Sequence, residues 1–282
     1  MDFKTLTHAD ILSLLPDRNE EAHKGNFGRV LLLCGSRGYT GAAALSAMGA
    51  LRSGAGLVYL AVPESIYSIE ATKLLEPIIL PLPDHNGRLS ADAIKPIAEL
   101  LPKMDAVLIG PGLGISEETE KLVVWLLLNY AGPVVVDADG INVLKSHRNV
   151  LRGRNGVTVL TPHNGEFARI GGLINSDRKE AAAKLAQDLR AIVVLKGHHT
   201  VITDGILGYI NLTGNPGMAV GGAGDVLAGM VTAFIGQGIT PIEAAAAAVW
   251  LHGAAGDICA QEIGQYGMLP SDMLNVLPRL LK

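Results

Sequence analysis

Six short runs of β-branched and aliphatic residues constrain the fold of this chain more than any other feature. They are RVLLLCG (29–35), GLVYLAV (56–62), AVLIGPG (106–112), PVVVDADG (133–140), VTVLTPH (157–163) and AIVVLKG (191–197). Each is continuously apolar rather than alternating, as expected of a strand buried on both faces. Segments of helical period separate most of them, around 40–53, 90–101, 116–129 and 164–170. That rhythm predicts an α/β protein, with a mostly parallel sheet covered by helices on both sides. After the sixth run the pattern changes. HTVITDG and LGYINLTG follow each other across short turns and predict a small antiparallel hairpin at one edge. Helices over 224–236, 241–261 and 270–281 are expected to close the chain.

Hydrophobic residues make up 49% of the 282 and charged residues 18%, enough to fill a large core and too apolar for disorder. No Pro/Ser-rich linker, charge block or fixed-period repeat divides the chain, so one domain over 1–282 is expected. The formal net charge of −4, with no basic block, speaks against nucleic-acid or anionic-membrane partners. MDFKTLTHAD has neither a basic n-region nor an apolar h-region, so a cytoplasmic protein without a signal peptide is expected. The longest greasy stretch, PIEAAAAAVWLHGAAGDICA, contains Glu243, His252 and Asp257 and fits a buried helix better than a membrane span. Cys34 and Cys259 form no CxxC pattern and are expected as free thiols.

In open α/β sheets, ligands bind beyond the C-terminal ends of the strands. Polar and glycine-rich segments gather at those ends: GSRGYTGAA (35–43), GPGLG (110–114), DADGIN (137–142), TPHNGEF (161–167) and KGHHT (196–200). Together they predict a site along one sheet edge. Two nucleotide signatures are missing. No GxxxxGK[ST] occurs, GSRGYTG is spaced GxxGxxG, and no acid follows the second run at Val62, so neither a P-loop nor a dinucleotide fingerprint is present.

GNPGMAVGGAGDVLAG (214–229) places GGAGD directly before an apolar helical segment. Glycines there let backbone N–H groups of Gly222, Ala223 and Gly224 face a ligand, and the helix start adds its positive dipole end. The result is an anion hole for phosphate or a developing oxyanion. Asp225, in the first turn, is then placed to take a proton from a substrate hydroxyl. The competing reading makes Asp225 a helix cap, which would not need the flanking glycines.

NPGMAVGGAGDVLAG resembles the anion-hole and aspartate motif of the ribokinase-like superfamily. HKGNFGRVLLLCGSRGYTGAAALSAMGALRSGAG, GPGLG, DADGINVL, TPHNGEF and LKGHHTVITDG, in this order, closely resemble the ADP-dependent NAD(P)H-hydrate dehydratases within it, over roughly residues 20–280. The resemblance implies a ribokinase-like three-layer α/β/α fold and a metabolite-repair lyase. Such enzymes convert (6S)-NAD(P)H hydrate back to NAD(P)H, coupled to cleavage of ADP to AMP and phosphate. Asp225 would deprotonate the hydrate hydroxyl, beside Gly222, Ala223 and Gly224. Lys196, Gly197, His198, His199 and Thr200, with Gly224, would hold the nucleotide; the alternative for Lys196 is a solvated turn lysine. His163 would contact the hydrate, and Asn164 with Glu166 would order the water shell of Mg2+; Asn164 and Glu166 also suit a helix start. Ala43, Gly112 and Gly114 would let the substrate lie close, or would serve tight helix-to-sheet packing. Asp137 and Asp139 form either a polar wall or a cap. His198 and His199 lack a third ligand at zinc spacing.

The resemblance further implies a homo-tetramer, no N-terminal epimerase domain and dependence on a separate NAD(P)H-hydrate epimerase. The rivals are a vitamin-precursor kinase of the same superfamily, disfavoured by TPHNGEF and GPGLG in this order, and a non-catalytic nucleotide binder, disfavoured by an intact Asp225.

Overall fold

The structure, a computed structural model, describes residues 2–174 and 177–282. Its strands are β1 Arg29–Leu33, β2 Leu57–Pro63, β3 Ile78–Leu82, β4 Asp84–His85, β5 Arg88–Leu89, β6 Ala106–Ile109, β7 Val134–Val136, β8 Thr158–Leu160, β9 Ile192–Leu195, β10 Val201–Thr203 and β11 Gly208–Ile210. Nine of them form one sheet in the order β11-β10-β9-β8-β7-β6-β1-β2-β3, and β4 pairs with β5 as a separate ribbon. Pairing is parallel from β3 through β9, and antiparallel where β10 joins β9 and β11, as the hairpin at one edge requires. All six apolar runs form strands of this sheet, and the middle of each is buried on both faces.

Two cores flank the sheet. Alternate strand residues such as Val30, Leu32 and Val135 join the helices Thr40–Arg52, Ala223–Gly236, Pro241–Glu262 and Pro270–Leu280 on one face. Leu31, Leu33 and Val136 join the helices Glu117–Asn129, Asp139–Leu144 and Arg178–Leu189 on the other. The helix-sheet-helix layering of the sequence reading is therefore present. The greasy stretch is the buried helix Pro241–Glu262, and no described helix is long and apolar enough to cross a membrane. Cys34 and Cys259 are both free and buried.

The small residues of 40–53 have a packing reason. A Cβ at Gly49 would run into the carbonyl of Val226, and one at Gly229 into that of Ser46. The helices Thr40–Arg52 and Ala223–Gly236 thus cross almost backbone to backbone, which fixes where the second one starts. The sequence reading had placed this packing against the sheet; it is mainly against another helix.

Among the elements that escaped the pattern reading, two show why. β3 is interrupted by Pro81, yet it is an edge strand, where a missing N–H costs no ladder bond. Arg178–Leu189 is an Ala-rich helix with its apolar side in the second core.

Chain order runs from β1 outward to β2 and β3, then returns to β6 on the other side of β1 and continues to β9. Successive helices leave β1 and β6 on opposite faces. The β1/β6 junction is the place where an open sheet of this kind forms its crevice.

Candidate active site

The loops after β1 and β6 are stitched together at that junction. Gly35 N donates to Pro111 O at 2.8 Å, and Ser36 Oγ donates to Gly112 O at 2.7 Å. A Cβ at Gly112 would lie 2.8 Å from that of Ala42, and one at Gly114 would press on the Arg88 side chain. Ala43 is wholly buried, 2.8 Å from a Cβ built on Gly35. At all three positions the small residues are closely packed.

After β7 the chain makes a costly turn. Ala138 has φ 48 and ψ −117, a conformation non-glycine residues rarely adopt. The two acids beside it diverge. Asp139 Oδ2 accepts from Gly114 N at 2.8 Å and so fixes the GPGLG loop. Asp137, only 1% exposed, accepts through Oδ1 from Lys196 Nζ at 2.8 Å. Asp137 is therefore an ion-pair partner, and neither acid caps a helix. Of the two sequence alternatives for Lys196, the solvated turn lysine does not hold, since its side chain is held inward by Asp137. Burial works against its charge, but Asp137, Glu166 and Asp225 outweigh that and raise its pKa. A Cβ at Gly224 would sit 3.1 Å from Lys196 Nζ and 3.7 Å from Asp137 Oδ2, so a bare α-carbon lets the ion pair meet the helix start.

The helix Ala223–Gly236 begins unusually. Its N-cap is Gly222, with φ 98 and ψ −20, and no side chain caps it. Asp225 occupies the third helical position and forms no hydrogen bond or ion pair among the described residues. Burial, then the charge of Asp137, pushes its pKa up to about 7, with Asp139 and Glu166 adding to the rise and Lys196 opposing it. A carboxyl with that value is half ionised near neutrality, where a general base is most effective. The capping alternative for Asp225 does not hold.

The helix Asn164–Arg169 begins in the opposite way. His163 is its N-cap, with Nδ1 accepting from Gly165 N at 2.9 Å and Glu166 N at 3.3 Å, and Glu166 Oε2 accepting from His163 N at 2.9 Å. The cap expected of Asn164 is made by His163 instead. Asn164 Oδ1 accepts from Arg178 Nη1 at 2.6 Å. Lys196–Thr200 is the turn joining β9 to β10. Lys196 N donates to Pro162 O at 2.8 Å, Thr200 Oγ1 donates to Gly197 O at 2.9 Å, and Gly197, His198 and His199 are exposed. His198 and His199 stack on each other with ring centroids 3.9 Å apart.

Two participants, Arg178 and His252, were not singled out from sequence. Arg178 ties two of the loops together. Asp137 was, but its role as the partner of Lys196 was not. His252, on the helix Pro241–Glu262, is buried against the Ala223 backbone, and burial drops its pKa to about 4, so it stays neutral. The N-terminal lead-in lines a separate open depression with Pro16, Asp17, Glu20, Glu21 and His23, none of it from the strand-end loops.

No group of three or more His, Cys, Asp or Glu is arranged to hold a metal among the described residues. Electrostatically, however, Asp137, Glu166 and Asp225 act on the single Lys196, and Asp139 acts on Asp225. That excess of carboxylate suits a hard cation held largely through its own waters.

A mostly parallel three-layer sheet with an unbonded acid at a glycine-rich helix start defines a ribokinase-like protein. A ribokinase-like superfamily protein from Enterococcus faecalis superposes with a TM-score of 0.86 at 27% identity, covering 99% of this chain and 95% of that one. The family model described as NAD(P)H-hydrate dehydratase matches residues 30–279, and the chain belongs to that family. The bifunctional NAD(P)H-hydrate repair enzyme Nnr of Moorella thermoacetica is 47% identical over 286 residues, covering 99% of this chain and 54% of that protein. The chain thus spans about half the length of the curated relatives it matches. An ADP/ATP-dependent NAD(P)H-hydrate dehydratase from Bacillus subtilis, co-crystallised with ATP and Mg2+, superposes with a TM-score of 0.86 at 32% identity, covering 99% and 98% of the two chains.

Proposed function

We propose that this chain is a metabolite-repair lyase that dehydrates (6S)-NAD(P)H hydrate to NAD(P)H, coupled to cleavage of ADP to AMP and phosphate. The observation that carries this reading is Asp225, unbonded among the described residues and with a pKa of about 7, beside the helix start at Gly222–Gly224, whose two glycines are partly exposed. The hydrate hydroxyl oxygen attacks the terminal phosphorus of the nucleotide while Asp225 takes its proton, and AMP leaves. The phosphorylated ring then loses phosphate, with its C–O bond breaking and a ring proton departing, and the dihydronicotinamide double bond returns. Phosphoryl transfer depends chiefly on positioning and charge stabilisation. Gly222, Ala223 and Gly224 supply amides and a helix dipole for the transferring group. Lys196, Gly197, His198, His199 and Thr200 hold the nucleotide, and Lys196 stands between Asp137 and the phosphates.

Ala43, Gly112, Gly114 and His163 line the hydrate's side of the crevice. Asn164 and Glu166 would order the water shell of a magnesium ion, which would neutralise charge on the phosphates. Asn164 acts through that shell because its side-chain oxygen is engaged by Arg178. A second reading has ATP as the phosphoryl donor, favoured by the description of the Bacillus subtilis protein as ADP/ATP-dependent. The relatives described as bifunctional repair enzymes support an NAD(P)H-hydrate epimerase as functional partner. The same reading carries a cytoplasmic homo-tetramer, checked by light scattering.

The test is incubation with NAD(P)H hydrate and Mg2+ in parallel with ADP, ATP or no nucleotide, following the return of dihydronicotinamide absorbance. Recovery with ADP, and none without nucleotide, is expected. No recovery with any nucleotide, together with phosphorylation of a vitamin-precursor alcohol, would replace this reading with a kinase.

A further inference from the structure

Arg178 is in an unfavourable place for its helix. It is the first residue of Arg178–Leu189, where the positive end of the helix dipole repels a cation. Asp177 already caps that helix by accepting from Lys179 N at 2.8 Å, so Arg178 is not needed there. Its guanidinium is instead directed at two loops of the site. Nη1 donates to Asn164 Oδ1 at 2.6 Å. Nη2 donates to Leu195 O and to Lys196 O, each at 3.1 Å. A Cβ at Gly197 would lie 3.0 Å from Nη2, so the turn closes directly over the guanidinium.

We propose that Arg178 is the positioning residue of the nucleotide-binding turn, holding Lys196–Thr200 in fixed relation to the His163–Glu166 helix start. The inference rests on the reading of that turn as the nucleotide site. Lys196 is held at three points: its N–H by Pro162 O, its ammonium by Asp137 and its carbonyl by Arg178. The first two fix the residue itself. The third sets the plane of the Lys196–Gly197 peptide, from which the turn departs. Only a planar fork can reach a side-chain amide on one loop and two carbonyls on another at once. The β9–β10 ladder pairs Val201 with Leu195 without help from Arg178, so losing the guanidinium frees the turn without unpairing the strands.

The test is titration calorimetry of ADP and ATP without Mg2+, so that the metal reading of Asn164 does not enter, and separately of NADH, into the wild type and into Arg178→Met, Arg178→Lys, Asn164→Ala and Arg178→Met/Asn164→Ala, with Tm measured for each. Arg178→Met is expected to weaken nucleotide binding at least tenfold while NADH affinity stays within twofold. Arg178→Lys recovers little of the loss, because an ammonium cannot span the three acceptors. Asn164→Ala alone costs a few-fold, and adding it to Arg178→Met costs nothing more. Unchanged nucleotide affinity in Arg178→Met, equal losses for nucleotide and NADH, or additive losses in the double variant would each overturn the proposal. If Arg178→Met does not fold, Arg178→Lys and Asn164→Ala carry the same comparison. A wild type that binds no nucleotide would overturn the reading of the turn itself, a result distinct from any of these.

Discussion

Two helices start at the same sheet edge, each with an acid at its third position, and the acids behave oppositely. At Asn164–Arg169 the N-cap His163 is extended, with φ −78 and ψ 171, and Glu166 reaches back to accept its N–H. Thr7 and Leu269 begin their helices with similarly extended backbone, and Asp10 and Asp272 accept from them in the same way. At Ala223–Gly236 the N-cap Gly222 is left-handed, and Asp225 accepts nothing from the described residues. The lesson is that the residue before the helix, rather than the acid, decides whether the carboxylate is consumed in structure. An extended N-cap offers its N–H to the third side chain. A left-handed glycine turns that N–H elsewhere and leaves a partly buried carboxylate with no partner, which raises its pKa.

The most drastic way to break this comparison is Asp225→Asn. Turnover of hydrate is expected to fall about 10³-fold, the range for loss of a general base, while nucleotide affinity stays within a few-fold. Stability should move the other way. Folded Asp225 holds its proton up to about pH 7 against 3.8 unfolded, so the group disfavours the folded state increasingly as pH rises from about 4 to about 7. Asparagine removes that slope. Above pH 7 the variant should be more stable by no more than about 4 kcal/mol, with solvent screening reducing the figure, and the gain should vanish near pH 4. Denaturant melts at both pH values check the sign.

Lys196→Met attacks the charge that keeps Asp225 from being fully neutral. It also leaves Asp137 buried without its cation, a change that costs about 3–5 kcal/mol. A lower Tm, and an acid limb of kcat/KM displaced to higher pH than in the wild type, are expected together.

Gly222→Ser asks whether the N-cap decides. Its Cβ would lie 2.5 Å from Leu45 Cδ1 at a backbone φ that serine resists, so a destabilisation of about 1–3 kcal/mol is expected. Should the backbone instead relax to an extended cap, Asp225 would become a capping acid and its acid limb would drop toward the ordinary carboxylate range.

Glu166→Gln should have the smallest effect, because glutamine can still accept from His163 N. A stability cost of about 0.5–1 kcal/mol and a turnover change of only a few-fold are expected.

Much of this contrast could be read from the sequence. The buried strands were visible because parallel strands are apolar throughout, and GGAGD before an apolar helix located the unusual start. The partners of the acids were not visible. Nothing in DADG says that Ala138 adopts φ 48, so the opposed directions of Asp137 and Asp139 could not be read. TPHNGEF suggested a cap at Asn164, but the imidazole of His163 filled that place and Asn164 turned to an arginine 14 residues on. β3 was hidden by Pro81, whose meaning depends on whether the strand has one neighbour or two. Pattern thus reports burial well, while pairings between loops depend on three-dimensional neighbours that no local window contains.

The central claim is that Asp225 is a free carboxylate poised to accept a proton near neutrality. An infrared difference titration of the wild type against Asp225→Asn measures this without substrate. A carboxylate band that appears with a midpoint near pH 7 and is absent from the variant is the predicted result. A band belonging to Asp225 that titrates near pH 4 would mean its carboxylate is solvated or paired, and would contradict the account.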